Sequence, residues 1–343
     1  MDFNRDTGRF KKGRRNFKSR KSFMMSKEKR IVVIGGGTGT YTVLSALKKS
    51  SVYLSAIVSM ADDGGSTGIL REEFGILPTG DVRRALIALS KHPDELLAKL
   101  FNYRFREGGL DGHNLGNLII TALERICGDF EKALVEASRL LAVENGEVIP
   151  VTLSSVRLLA ELENGSVIKG ETNIDIPKHD GELAIKRVWL EPDARANHKA
   201  LKAIKQADLI VIGPGDLYTS VLPNLLARGI SEAIEQSKAK KIFICNLMTK
   251  YGETHGFVAK DFVSALENYL GEEVLDAVIF NNQKPPEAVL KRYRQERAFF
   301  VDPFFDKAAG LKKLKVVKTG LIRKGELIRH DHQKLAEAIL KLV

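Results

Sequence analysis

Ile31-Val32-Val33-Ile34 runs directly into Gly35-Gly36-Gly37-Thr38-Gly39-Thr40. Four β-branched apolar residues precede four glycines in five positions. A helical stripe of Val43, Leu44 and Leu47 follows. The pattern reads as strand, tight loop, helix. Glycines let backbone N–H groups approach a ligand, and the helix N-terminus behind them carries partial positive charge. A corner of this kind points to a phosphate. It is not a Walker A loop, because no Gly-Lys-Ser/Thr follows. It also departs from the dinucleotide fingerprint, whose last glycine is replaced by Thr40. Glycines in such corners also serve packing alone.

A second strand over about residues 53–59 ends in Ala61-Asp62-Asp63-Gly64-Gly65. The βαβ unit predicts a parallel sheet. Apolar stripes predict helices through Val82–Leu89 and Leu115–Ile126, and one capped by Asp129. Residues 148–190 read as short antiparallel strands, with Asn164-Gly165 as a hairpin turn. Asp208–Ile212 resumes the α/β alternation and leads into Gly213-Pro214-Gly215-Asp216-Leu217-Tyr218-Thr219-Ser220. Lys241–Asn246 and Ala277–Asn281 predict further strands, Val316–Lys318 and Leu327–Ile328 predict edge strands, and residues 332–342 predict a closing helix. The fold class is therefore α/β: a mostly parallel sheet with helical additions and a small antiparallel excursion.

In an open parallel sheet, ligands sit at the carboxyl ends of the strands. Gly35, Gly36, Gly37, Thr38 and Gly39 lie at one such end, and Gly213, Pro214, Gly215, Tyr218 and Thr219 at another. Thr219 or Ser220 is the expected cap of the second corner's helix. Two cradles suit a ligand with two recognition ends, such as a pyrophosphate-bridged nucleotide. Asp62 and Asp63 project to opposite sides of an extended chain, so one of them faces the site. That carboxylate could hold a ribose hydroxyl, a magnesium ion or a ring nitrogen. In Pro78-Thr79-Gly80-Asp81-Val82-Arg83, Asp81 reads as a cap and Arg83 could reach an anion. Asn114 reads as a helix cap, Asn117 lies in the open first turn after it, and His113 is either a general acid–base or structural. The sequence contains no metal-ligand cluster of recognisable spacing.

The net charge of +11 is uneven. Residues 1–30 hold 12 Lys/Arg against 3 Asp/Glu, and the other 313 hold 42 against 40. Low aliphatic content predicts a disordered basic tail over residues 1–28. Phe3, Phe10, Phe17 and Phe23 interleave its basic residues, a pattern open to single-stranded RNA, an anionic membrane or mere solubilisation. The tail has no apolar core of a secretory signal. No apolar stretch nears the ~20 residues of a membrane span. Cys127 and Cys245 sit in apolar contexts, as expected of reduced cysteines in a cytoplasmic protein.

The segments IVVIGGGTGT, ADDGGSTGILREEFGILPTGDVRRAL, DGHNLGNLIITAL, ADLIVIGPGDLYTSVLPNLL, ICNLMTKYGET and GELIRHD resemble the YvcK or gluconeogenesis-factor family of the CofD-like superfamily. They span most of residues 30–331 in the expected order. The resemblance implies a Rossmann-like fold, with residues 29–343 as one nucleotide-binding domain. It implies cytoplasmic binding of UDP-N-acetylglucosamine, with NAD or GDP as alternative nucleotides. It also implies a sensing role in cell shape on gluconeogenic carbon sources, with cell-wall precursor enzymes as partners. Related CofD enzymes transfer a phospholactyl group from a guanosine diphosphate adduct, using an acid that matches Asp62 or Asp63. Asn246, Tyr293 and Arg329 complete the implied nucleotide site. A homodimer is a further expectation. Where family members carry a phosphorylated threonine after Arg-His-Asp, this chain has His332, which puts that regulation in doubt.

Overall fold

The computed structural model describes residues 28–93, 95–303 and 313–343. The expectations for the basic tail fall almost wholly outside the described residues. β1 (Lys29–Gly35) is followed by α1 (Gly37–Leu47), β2 (Val52–Val58), α2 (Gly65–Phe74) and α3 (Gly80–Leu89). Then come α4 (Leu96–Asn102), α5 (Leu115–Cys127), α6 (Phe130–Leu140) and β3 (Gly146–Pro150). An excursion follows: β4 (Arg157–Leu162), β5 (Val167–Lys169), the short α7 (Glu171–Asp175) and β6 (Ile185–Glu191). The chain returns to the main sheet with β7 (Leu209–Ile212), β8 (Lys240–Ile244), β9 (Ala277–Asn281) and β10 (Lys315–Thr319).

The main sheet has the order β10-β9-β8-β7-β1-β2-β3, with every neighbouring pair parallel. β4, β5 and β6 form a separate antiparallel sheet. Alternation splits the main strands between two apolar layers. Val32, Ile34, Ile210, Ile212 and Phe243 face one layer, and Ile31, Val33, Leu209, Val211 and Ile242 face the other. α1, α3 and the closing helix His332–Leu340 cover the second layer through Leu44, Leu86 and Leu335. The helix Ala259–Leu270 and the small sheet cover the first through Phe262, Leu158 and Val188.

The α/β reading holds, with local corrections. Gly146–Pro150 is the parallel edge of the main sheet, not part of the excursion, because its residues pair with β2. Leu327–Ile328 forms no strand; the contact there is an isolated bridge from Ile322 to His330. Lys315–Thr319 is the edge strand expected near residue 316. Both cysteines are free, with Cys245 buried. No helix among the described residues is long and apolar enough to cross a membrane.

The chain runs outward from β1 to β2 and β3, then crosses back to β7. The sheet therefore reverses between β1 and β7, where a crevice must open at the strand ends. The two glycine-rich loops meet there at close range. A Cβ on Gly39 would lie 1.9 Å from the Pro214 carbonyl oxygen and 2.5 Å from its carbon. Gly39→Ala is thus expected to force the loops apart, at a cost near the upper end of overpacking, about 3 kcal/mol. Urea denaturation measures the loss, and an unchanged midpoint contradicts the packing role.

Candidate functional site

A cavity of about 600 Å³ opens at the carboxyl ends of β1, β2, β7 and β8. That volume falls within the ~300–1,000 Å³ of small-molecule sites. Gly36, Gly37, Thr38 and Gly39 form its floor beside Pro214, Gly215 and Thr219. Gly37 takes a positive φ of 60°, and its N–H donates to Asp81 Oδ1 at 2.8 Å. Asp81 therefore caps α1 from across the crevice instead of its own helix. It stands where a phosphate oxygen would stand in such a corner. Gly36 makes room for it, since a Cβ there would meet Asp81 Oδ2 at 2.4 Å.

Asp62 lines the cavity, and its Oδ1 accepts the Gly64 N–H at 2.9 Å. Gly80 permits this approach, because a Cβ there would lie 2.4 Å from Asp62 Oδ2. Asp63 turns away and accepts the Thr172 N–H at 2.9 Å, tying β2 to α7. Burial raises Asp62 above the usual carboxylate range. Burial, then the Asp62 charge, pushes Asp81 up to about 6. Glu171 on α7 is pushed up to about 9 by burial and then by Asp62 and Asp175. Arg84, Arg104 and Arg329 line the same cavity, and the Arg84 charge acts on both Asp62 and Asp81.

The second loop is held by charge. Glu253, which is 3% exposed, accepts from the Tyr218 N–H and the Thr219 hydroxyl, both at 3.0 Å. Thr219 is therefore a tether and not the expected cap. Burial raises Glu253 to about 7. Lys250 reaches Asp175, Asp216 at 2.8 Å and Glu253 at 3.2 Å. Burial works against its charge, but the three carboxylates outweigh burial and hold it protonated. Oxygens of those three acids lie within 4.8 Å of one another, as a cation's ligands would. The Lys250 ammonium is the cation they surround.

The family model described as 2-phospho-L-lactate transferase CofD matches residues 31–322. The chain belongs to the CofD family. Within it, the gluconeogenesis factor of Halalkalibacterium halodurans is 44% identical over 319 residues, 92% of this chain and 97% of that protein. The gluconeogenesis factor of Bacillus subtilis is 42% identical over 326 residues, 93% of this chain and 99% of that one. A crystal structure of a UPF0052-family protein from Bacillus halodurans superposes with a TM-score of 0.85. It is 42% identical and covers 92% of this chain and 99% of its own.

In this CofD-family chain the sequence candidates divide. Asn117, Asn246, Tyr293 and Arg329 line the cavity with the glycine loops and Asp62. Tyr293 is positioned through its hydroxyl, which accepts the Ile328 N–H at 3.0 Å. Gly35, Asp63, His113, Asn114, Gly213 and Tyr218 do not line it. Asn114 spends its carbonyl oxygen capping α5 at the Asn117 N–H. His113 Nδ1 lies 3.5 Å from Ser66 Oγ. Tyr218 buries its ring beneath the second loop. Arg83 also lines the cavity, 5% exposed and bonded to Asn117, Asn102 and the Phe101 carbonyl.

Asp81, Arg84, Glu171, Asp175, Lys250 and His330 also line the cavity and were not singled out as site residues. Asp216 and Lys250 stand inside quoted motifs, but their partnership needs the fold to bring α7 across. Glu171 supplies a test by pH. Its folded pKa is raised, so its stabilising contribution is complete below about 4.5 and is lost as pH climbs toward about 9. The wild-type melting temperature is expected to fall across that window. Glu171→Gln flattens the slope and melts above wild type near pH 9. Parallel melting curves contradict the burial assigned to this acid.

Proposed function

We propose that the cavity binds a nucleotide sugar, UDP-N-acetylglucosamine, and that the protein is a cytoplasmic sensor of that ligand. In this reading it passes the ligand's state to cell-wall precursor synthesis and so supports cell shape on gluconeogenic carbon. Its relatives named gluconeogenesis factor support the gluconeogenic part of this reading. The observation that carries the molecular side is convergence. Arg329 and Tyr293, remote in sequence from both glycine loops, share one cavity with them.

The chemistry suits a ligand charged in the middle and neutral at its ends. Gly215 offers backbone near a diphosphate, and Arg84 and Arg329 offer cations. Guanidinium groups bind phosphate in bidentate fashion. The raised Asp81 can take up a proton as an anion approaches, which reduces its repulsion. Arg329→Ala is expected to weaken UDP-N-acetylglucosamine binding at least tenfold, about 1.4 kcal/mol, in calorimetric titration. Unchanged affinity removes Arg329 from the site. Titration of the wild type with NAD and GDP in parallel decides among the nucleotides.

The family model's own description supports a second reading, a transferase that moves a phospholactyl-like group from a nucleoside diphosphate adduct. Asp62 is the cavity-facing acid for such a step, and a magnesium ion held there would serve the diphosphate. Asp62→Asn is then expected to abolish turnover while nucleotide binding persists. A wild-type chain that binds nucleotide yet turns over no adduct with any deazaflavin-like acceptor rejects this reading.

A further inference from the structure

The short helix α7 is held on three sides. The Thr172 N–H donates to Asp63 Oδ1 at 2.9 Å. Ile174 is buried in the apolar layer beneath. Asp175 pairs with Lys250. Residues four apart share one face of a helix, so Glu171 is turned toward the cavity together with Asp175. Both line it.

Asp62, Asp81, Asp175 and Asp216 line the same cavity, and each has a partner inside the protein. Glu171 has none, because its carboxyl makes no hydrogen bond or ion pair among the described residues. The residue is half-buried and its oxygens are not sealed off, so they open onto the cavity. A carboxyl in this position is costly to leave unpaired.

The surroundings limit what can pair with it. The charges acting on Glu171 most strongly are those of Asp62, Asp175, Asp81 and Asp63. All are negative, so a phosphate is repelled from this wall. No cluster at metal-ligand spacing among the described residues includes Glu171. An uncharged hydroxyl meets neither obstacle. Burial, then the Asp62 charge, pushes the carboxyl up to about 9, so at neutral pH it both donates and accepts. A sugar hydroxyl does the same.

We propose that the Glu171 carboxyl hydrogen-bonds a ring hydroxyl of the bound nucleotide sugar and makes α7 the wall that recognises a sugar. The assignment rests on the sugar-nucleotide reading of the cavity. The phosphates then lie away from α7. The ring is either the hexosamine or the ribose, and the test separates them.

Glu171→Met keeps the length of the side chain and removes both oxygens. Full-length Glu171→Met is expected to bind UDP-N-acetylglucosamine about tenfold more weakly, or worse, in calorimetric titration. Its melting temperature at neutral pH is expected to be no lower than that of the wild type, since the lost carboxyl had no partner in the protein. Glu171→Gln, whose amide still donates and accepts, is expected to stay within about threefold of wild-type affinity. Unchanged binding of UDP by Glu171→Met places the hydroxyl on the hexosamine, and a like loss for UDP places it on the ribose. Wild-type affinity in Glu171→Met overturns the assignment and leaves the site reading intact. Equal losses in Glu171→Met and Glu171→Gln, or a Glu171→Met chain that melts below wild type, also overturn it, because the carboxyl then serves the wall itself. Failure of the wild type to bind UDP-N-acetylglucosamine overturns the site reading and the assignment with it.

Discussion

The structure depends on one close approach, the backbone of Gly39 against the carbonyl of Pro214. β1 and β7 are parallel neighbours, paired from Ile31–Leu209 to Ile34–Ile212. Their loops leave the sheet side by side, and only a residue without a Cβ lets them touch. The contact brings two loop-to-helix corners to bear on one space instead of two. It also explains the glycine content better than phosphate contact alone does. Gly39 makes room for Pro214, Gly36 for Asp81 and Gly80 for Asp62. Each missing side chain is the space in which another group is held.

What is held there is mainly charge, and the charge is kept under tension. Asp62, Asp81, Glu171 and Glu253 are all raised by burial, and Arg83 is lowered to about 10 by the same cause. Clustered shifts of this kind mark functional sites more often than structural ones. Folding tolerates Asp62, Asp81, Glu253 and Arg83 because each has a partner at hydrogen-bond range. Gly37 N–H serves Asp81, Lys250 serves three acids, and Asn117 and Asn102 serve Arg83.

Much of the fold was legible because its signals are local. β-branched runs ending in glycine marked β1 and β7, and the Asn164-Gly165 turn marked the β4–β5 hairpin. Strand Gly146–Pro150 was assigned to the wrong sheet, since its residues look alike in either pairing and register is decided by a partner far away. The site was half legible for the same reason. Residues next to a strand end, such as Asp62 and Gly215, could be placed by rule. Lys250 could not, because its meaning comes from Asp175, 75 residues earlier. Asp81 was read as a local cap, yet its partner is Gly37, 44 residues away.

The crossover between β3 and β7 has a further consequence. β4, β5 and β6 pair as strands with one another and not with the parallel sheet. α7, carried within that excursion, nonetheless supplies one wall of the cavity through Glu171, Thr172 and Asp175. The architecture separates the part that must stay fixed from a part free to vary. Substitutions in the excursion can reshape the wall without disturbing the strand register that aims the glycine loops. One scaffold could in this way diverge toward different ligands by revising a short inserted module.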